Sequence, residues 1–433
     1  MLKQQIAQNI SLKISNLLVF GLICLCLIEN ALASPLYSRQ YKISCTACHS
    51  SPPQLNIYGM RFRQTNSLPS WESNTTVDTG DENTAIPKVF PFSIHSQMLA
   101  RLRRANHIED QSTGEVTHDS GLDSQTPHFI KLISSAPLTE EIGFYFDAAL
   151  MPGQNQDAFT LNESWLRYRF ESEFVASLTV GQFPNSDIIF DQDTRLSIKE
   201  HLIYAQSNLG LDRGGRFDIH IFNISLSIGL SNGTDAGSAA TANGPGIGRE
   251  DRLFDNNTRK TLYGYVSRQF SKFKLGVFSQ INQQFGVTGV TGQTNTDQLT
   301  FQYTTGFDIQ AYPSHKINWM AQFMWNKWTG FLKKGQVIQW YGGFIGIDYR
   351  ATEYISYSLL YNYSNAGDFK DTGTIYEGIS ANVITTSVSY YFRSNVRGIL
   401  EISMDFLPAD NDDDFVGHET KEDALIIGID ISY

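Results

Sequence analysis

The sequence predicts a mainly β protein: a closed barrel of about sixteen strands behind a small N-terminal segment with its own chemistry. Three observations carry this. From Phe92 onward, apolar residues recur at every second position. The gaps between these runs alternate between long and short. Past Ile28, no apolar stretch reaches the roughly 18 to 20 residues that a spanning helix needs. Of the 433 residues, 18% are charged and 12% aromatic, with 34 Gly, a balance that argues against disorder. The formal net charge of -11 argues against nucleic acid as a partner.

Residues 1–33 read as a signal peptide. Lys3 and Lys13 make a positive start, and Leu17 to Ile28 is unbroken apolar sequence, long enough for a signal core and too short to span a bilayer. Ala31-Leu32-Ala33 is a small-x-small cleavage site. The competing reading is an N-terminal anchor helix. Cys24 follows Ile23 and Cys26 follows Leu25, so neither has the small residue that a lipidated Cys requires before it. Cleavage after Ala33 would leave Cys45 and Cys48 as the mature cysteines.

Those two cysteines form Cys45-Thr46-Ala47-Cys48-His49, a C-x-x-C-H motif. Two thiols at this spacing match the two vinyl groups of haem, and the adjacent His lies under the iron as proximal ligand. The expectation is one covalent haem c on Cys45 and Cys48 with His49 on the metal. A thioredoxin-like redox pair would want a βαβ surround, and a zinc site would want further Cys or His nearby. Neither pattern is present around the motif. The haem-binding segment is set at 34–71 and a polar linker at 72–91. A segment this small seldom buries enough apolar surface to stand alone, so something else should cover it. Gln54 to Gln64 carries Leu55, Tyr58 and Phe62 at helical spacing, an apolar stripe for the haem edge. Arg61 and Arg63 are either partners for haem propionates or solvated surface.

Residues 92–433 form the expected outer-membrane, porin-like barrel. Ile317, Trp319, Ala321, Phe323 and Trp325 alternate with Asn318, Gln322 and Asn326, and Leu425, Ile427, Ile429 and Ile431 alternate with Gly428, Asp430 and Ser432. Such faces read as apolar to lipid and polar to lumen. The runs start near residues 93, 128, 142, 161, 175, 217, 224, 261, 274, 299, 317, 341, 355, 381, 396 and 424. Long gaps at 104–127, 184–216, 232–260, 282–298, 364–380 and 407–423 are expected as outer loops, and gaps such as Ser271-Lys272-Phe273 as short periplasmic turns. Trp319, Trp325, Tyr390, Tyr391 and Phe392 suit an aromatic girdle. The competing reading is a soluble all-β protein.

In the first run, Phe92, Ile94, Met98, Ala100 and Leu102 share one parity, and Ser93, His95, Gln97, Arg101 and Arg103 the other. His95 should therefore face the lumen. A six-coordinate iron needs a second axial ligand, and the candidates are Met60 inside the haem segment and His95 on the wall, with His220 more remote. Each has a plain alternative: packing for Met60, a solvated lumen side chain for His95. Asp410, Asp412, Asp413, Asp414, Glu419, Glu422 and Asp423 make the last outer loop acidic. It could attract Fe(II), or bridge to lipopolysaccharide through divalent ions. Arg101, Arg103, Arg167 and Arg169 would suit anion selectivity or would screen carboxylates.

The stretch from Tyr37 through Cys45-Thr46-Ala47-Cys48-His49, with Pro53-Gln54-Leu55-Asn56-Ile57-Tyr58-Gly59-Met60-Arg61-Phe62 behind it, resembles the fused monohaem c-type cytochrome–porin family of bacterial outer membranes, which includes iron-oxidase-like outer-membrane cytochromes. The resemblance implies thioether bonds at Cys45 and Cys48, His49 as proximal ligand and a barrel of about sixteen strands. It further implies one-electron transfer between an extracellular donor, Fe(II) among them, and a periplasmic c-type cytochrome or other carrier, with outer-membrane lipid around the barrel. The alternative expectation is a porin-like solute channel whose haem segment is a structural plug or redox sensor. Whether the chain is itself an Fe(II) oxidase is left open.

Overall fold

The computed structural model describes residues 36–51, 54–67, 76–77, 80, 86–88, 90–110, 115–150, 159–170, 175–190, 201–207, 209–233, 260–288, 293–331, 334–369, 380–406 and 422–433. The expected signal peptide, Cys24 and Cys26 included, lies outside these residues, as do Asp410, Asp412, Asp413, Asp414 and Glu419 of the acidic loop.

Sixteen strands close into one antiparallel barrel. They are β1 (Phe92–Asp110), β2 (Glu115–Pro137), β3 (Ile142–Leu150), β4 (Phe159–Phe170), β5 (Val175–Pro184), β6 (Leu211–Ile221), β7 (Ile224–Ser231) and β8 (Thr261–Gln269). The second half is β9 (Phe273–Thr288), β10 (Gln293–Ser314), β11 (Ile317–Thr329), β12 (Val337–Arg350), β13 (Ile355–Asn365), β14 (Ala381–Arg393), β15 (Val396–Asp405) and β16 (Glu422–Ser432). Each strand pairs with its neighbour in sequence, and β16 pairs with β1, with Ile429 opposite Met98. The chain end seals the seam, because Tyr433 and Ile94 exchange backbone hydrogen bonds at 2.7 and 2.9 Å. Closure leaves no open sheet edge, as a structure immersed in lipid requires.

The alternation read from the sequence becomes an outside and an inside. Leu262, Val266, Val277, Ile281, Phe307, Ile345, Leu359 and Ile427 are exposed on the outer face. Thr261, Gln280, Asn282, Thr304, Gln322, Asn326 and Ser387 are buried on the inner one. An apolar belt of this extent is a transmembrane surface. Aromatics rim it near the short turns, where Tyr349 and Tyr357 stack at 6.4 Å and Tyr390 packs on Phe392 at 5.0 Å.

The long connections differ from the expectation in two ways. Residues 104–127 and 282–298 are mostly strand: β1 and β2 reach Asp110 and Glu115, and β9 and β10 reach Thr288 and Gln293. In sequence these hairpin ends are rich in Thr, Gln, Asn and Asp, so they lack the regular apolar half of the pattern that marks a strand inside a bilayer. The described residues of the 184–211 connection, 185–190, 201–207 and 209–210, do not stay outside. They include a 3-10 turn (Asn185–Ile188) and a short helix, Leu202–Gln206, with Ile203 and Tyr204 buried against the wall.

Among the described residues, three short helices precede the barrel: α1 (Leu36–Tyr41), α2 (Cys45–Cys48) and α3 (Ile57–Gln64). Between α2 and α3, His49–Ser51 pairs with Gln54–Leu55 in a small antiparallel ladder. The helix expected from Gln54 thus begins three residues later. Asn56 caps it, its side-chain oxygen accepting from Gly59 N at 2.9 Å.

Candidate functional site

The C-x-x-C-H motif sits on one helical turn with the His directly after it. Ala47 N donates to Ser44 O at 2.9 Å, and α2 spans the two cysteines. Residues three apart on such a turn share a face. The Cys45 side chain lies outside what the structure describes. Cys48 is buried in a cluster with Tyr41 and Phe62, flanked by Tyr37, Ile43 and Leu55. Tyr37 and Tyr41 meet Phe62 edge-on at 5.2 and 5.7 Å. Asn56 holds α2 from behind: its backbone N donates to Cys48 O at 2.8 Å and its Nδ2 to Ala47 O at 2.9 Å. Gly59 is packed so closely that a Cβ there would run into the Cys48 carbonyl oxygen and Leu55. A buried second Cys, flat aromatic faces around it and a His next in sequence fit a covalent haem: Cys45 and Cys48 would hold it, and His49 would reach the iron. Among the described residues, no three His, Cys, Asp or Glu side chains are grouped to hold a bare metal ion.

This segment is fastened into the short-turn mouth of the barrel. The Tyr37 and Ser135 hydroxyls lie 2.7 Å apart, and Ser67 Oγ donates to Tyr37 Oη at 3.0 Å. Burial pushes the Tyr37 phenol above its ordinary range. Arg39 donates to the Phe92 carbonyl, Asn66 Nδ2 to Glu141 O at 2.8 Å, and Arg167 Nη1 to Arg63 O at 2.6 Å. From the opposite wall, Tyr312 Oη donates to Leu55 O at 3.3 Å. The anchors come from β1, β2, β4, β10 and the β2–β3 turn, so the segment bridges the opening.

A second body enters the lumen from the long-loop side. Phe190, Ile203, Tyr204 and Leu209 of the β5–β6 connection pack with Tyr263, Tyr265, Phe278, Met320, Met324, Phe344 and Leu360 of the wall. His201 stacks on Phe344 at 4.2 Å. Polar contacts pin it: Asn326 Nδ2 to Ser207 Oγ at 2.9 Å, Leu202 N to Asn362 Oδ1 at 3.3 Å and Lys274 Nζ to Ile189 O at 3.1 Å. The pattern had a visible trace. Met320, Met324 and Phe344 are apolar residues on the lumen parity, where a water-filled channel would carry polar ones.

The two candidates for a second axial ligand have different surroundings. Met60 is half-buried on α3. His95 faces the lumen and its Nε2 is paired with Asp430, whose other oxygen accepts from Arg397 Nε and Nη2 at 3.0 and 2.8 Å. His220 lies on β6, with Nδ1 2.8 Å from Ser225 Oγ. The alternation alone did not reveal the Asp430–Arg397 partnership, because register across the seam is a tertiary fact.

A sixteen-strand closed barrel with an apolar belt, an inward-folded connection and a polar lumen wall is the architecture of a porin-like outer-membrane protein. Solved structures match it. The anion-selective porin from Comamonas acidovorans superposes with a TM-score of 0.52 at 10% identity, over 79% of this chain and 99% of its own. OmpT of Vibrio cholerae with loop L8 deleted gives 0.50 at 12% identity, over 79% and 99%. At such identities the likeness is one of fold. No protein-family model and no curated protein matches the chain in sequence.

Proposed function

We propose that this protein sits in the bacterial outer membrane and passes single electrons between an extracellular donor, with Fe(II) the leading candidate, and a periplasmic c-type cytochrome or comparable carrier. One observation carries the reading: the C-x-x-C-H turn belongs to a segment tied into the short-turn mouth of a transmembrane barrel. In outer-membrane barrels that mouth faces the periplasm. A haem c bound there would supply a one-electron couple. Cys45 and Cys48 would hold it by thioether bonds, and His49 would supply a nitrogen ligand to the iron. Tyr41 and Phe62, with Tyr37 packed against them, bury Cys48 and would keep water from that side of the bound group. Met60 and His95 are the candidate second axial ligands. The balance is simple: the donor, Fe²⁺ leaving as Fe³⁺, gives up one electron, and the periplasmic carrier gains it.

A second reading has its own support. The fold is similar to that of porins, one of them anion-selective, and Arg101, Arg103 and Arg167 line the lumen side of the wall. The protein would then be a solute channel with the N-terminal segment as plug or redox sensor. Stopped-flow spectroscopy of the purified, haem-loaded protein mixed with Fe²⁺ separates the two. Rapid growth of the reduced α-band, abolished in His49→Ala, is expected for the electron carrier. A haem that stays oxidised with Fe²⁺ yet reduces with dithionite removes iron as donor. A steady open conductance in planar bilayers favours the channel.

A further inference from the structure

The C-x-x-C-H turn is held from outside itself. A single helical turn leaves its last carbonyls without partners inside the helix, and in α2 these belong to Ala47 and Cys48. One residue takes both. Asn56 N donates to Cys48 O at 2.8 Å, and Asn56 Nδ2 donates to Ala47 O at 2.9 Å. The other two polar groups of Asn56 start α3: its Oδ1 accepts from Gly59 N at 2.9 Å and its backbone O from Met60 N at 3.0 Å. These partners fix which way the amide points, since the reverse would set N–H against N–H and oxygen against oxygen.

The two carbonyls matter for the peptides they belong to. Ala47 O lies in the peptide entering Cys48, and Cys48 O in the peptide entering His49. With both held, the backbone on either side of Cys48 is fixed, and so is the direction in which His49 leaves the turn. His49 then pairs with Leu55, the neighbour of Asn56, in the short ladder. Gly59 lets α3 come this close, because a Cβ there would run into Cys48 O. Among residues favoured at a helix start, Ser and Thr have one oxygen for both tasks and Asp has two acceptors. Asn carries an acceptor and a donor at separate ends of a short fork.

We propose that Asn56 is the positioning residue of the haem-binding turn: it clamps the two peptides around Cys48 and through them sets how His49 is presented to the iron. The role toward iron rests on the electron-transfer reading above, whereas the clamp belongs to the chain and has its own measurement. Partners that orient a metal ligand from behind tune both affinity and potential.

The test uses the purified full-length, haem-loaded protein with Asn56→Ser and Asn56→Ala, barrel assembly being checked by heat-modifiable migration on gels. Ser caps a helix as well as Asn does, but its single oxygen, engaged by Gly59 N, leaves Ala47 O without the amide donor. Ala loses both functions. A residue needed only to start α3 makes Asn56→Ser resemble wild type; a clamp makes it resemble Asn56→Ala. Two quantities are read: the haem midpoint potential, and the g-values of the oxidised haem by electron paramagnetic resonance. Both should move in the same sense in the two variants. Asn56→Ser matching wild type in both overturns the proposal. Where a variant assembles without haem, or wild type itself shows no α-band, alkylation of Cys48 decides, measured on haem-free protein in the Cys45→Ala background. Cys48 is 8% exposed, and Asn56→Ser should speed its alkylation severalfold. Equal rates overturn the clamp. A missing wild-type α-band sinks the electron-transfer reading by itself, and the alkylation rates then judge the clamp alone.

Discussion

The Tyr37 hydroxyl lies 2.7 Å from the Ser135 hydroxyl, joining residues 98 positions apart, and Ser67 donates to the same oxygen at 3.0 Å. Tyr37→Phe keeps the ring against Phe62 and deletes both bonds. The segment should lose roughly 1 to 3 kcal/mol of docking free energy while the barrel melts as before. Proteolysis of the folded protein checks it, with faster cleavage between α3 and β1 expected. The phenol adds a pH signature. Burial holds its pKa above the ordinary value of 10.0. Its contribution is therefore complete below that value and fades as pH rises through the raised one. Alkaline loosening of the segment should be seen in wild type and not in Tyr37→Phe.

Gly59→Ala directs a methyl at the Cys48 carbonyl and Leu55. The neighbours are backbone and a packed side chain, so α2 must shift. Haem-stain intensity per folded barrel should fall severalfold. Unchanged staining would show that the turn has slack.

Asp430 holds both His95 and Arg397. Asp430→Asn leaves the buried Arg397 without its anion and should cost about 3 to 5 kcal/mol, read as a lower urea midpoint in detergent. His95→Gln should cost less. Because His95 Nε2 is engaged by the wall, His95→Gln should leave the oxidised haem spectrum unchanged. A changed spectrum would identify His95 as an axial ligand.

Phe344→Ala removes the ring on which His201 stacks and which Phe190 and Tyr204 touch. The loss is about 3 to 5 kcal/mol of packing, borne by the inward connection rather than the barrel seam. Single-channel current should rise above wild type. An unchanged current would mean that the N-terminal segment alone closes the pore.

The strands were legible where lipid imposes the pattern. Starts after short turns, at Ile142, Val175, Ile224, Ile317, Ile355 and Val396, were read to the residue, because the apolar half of the alternation begins at the bilayer edge. After long connections the outcome divides: the starts at Thr261 and Ala381 agree with the sequence reading, whereas β2 begins at Glu115 rather than near 128 and β10 at Gln293 rather than near 299. In those two hairpin ends the sequence is mostly polar, so the alternation fades. The C-x-x-C-H motif was legible because its chemistry is local. What surrounds it was not. Ser135, Glu141 and Tyr312 have no special signature, and only the folded barrel brings them to the segment. Met320, Met324 and Phe344 did break the lumen parity, and an apolar body within the pore is what such breaks imply.

The inward connection also bears on mechanics. A closed sheet is tied around its circumference by backbone hydrogen bonds, but nothing in it resists flattening across a diameter. From its root between β5 and β6, the connection grips Lys274, Asn326, Phe344 and Asn362. It therefore works as a strut. Lateral pressure from the surrounding lipid that would turn a round cross-section oval must first break these contacts.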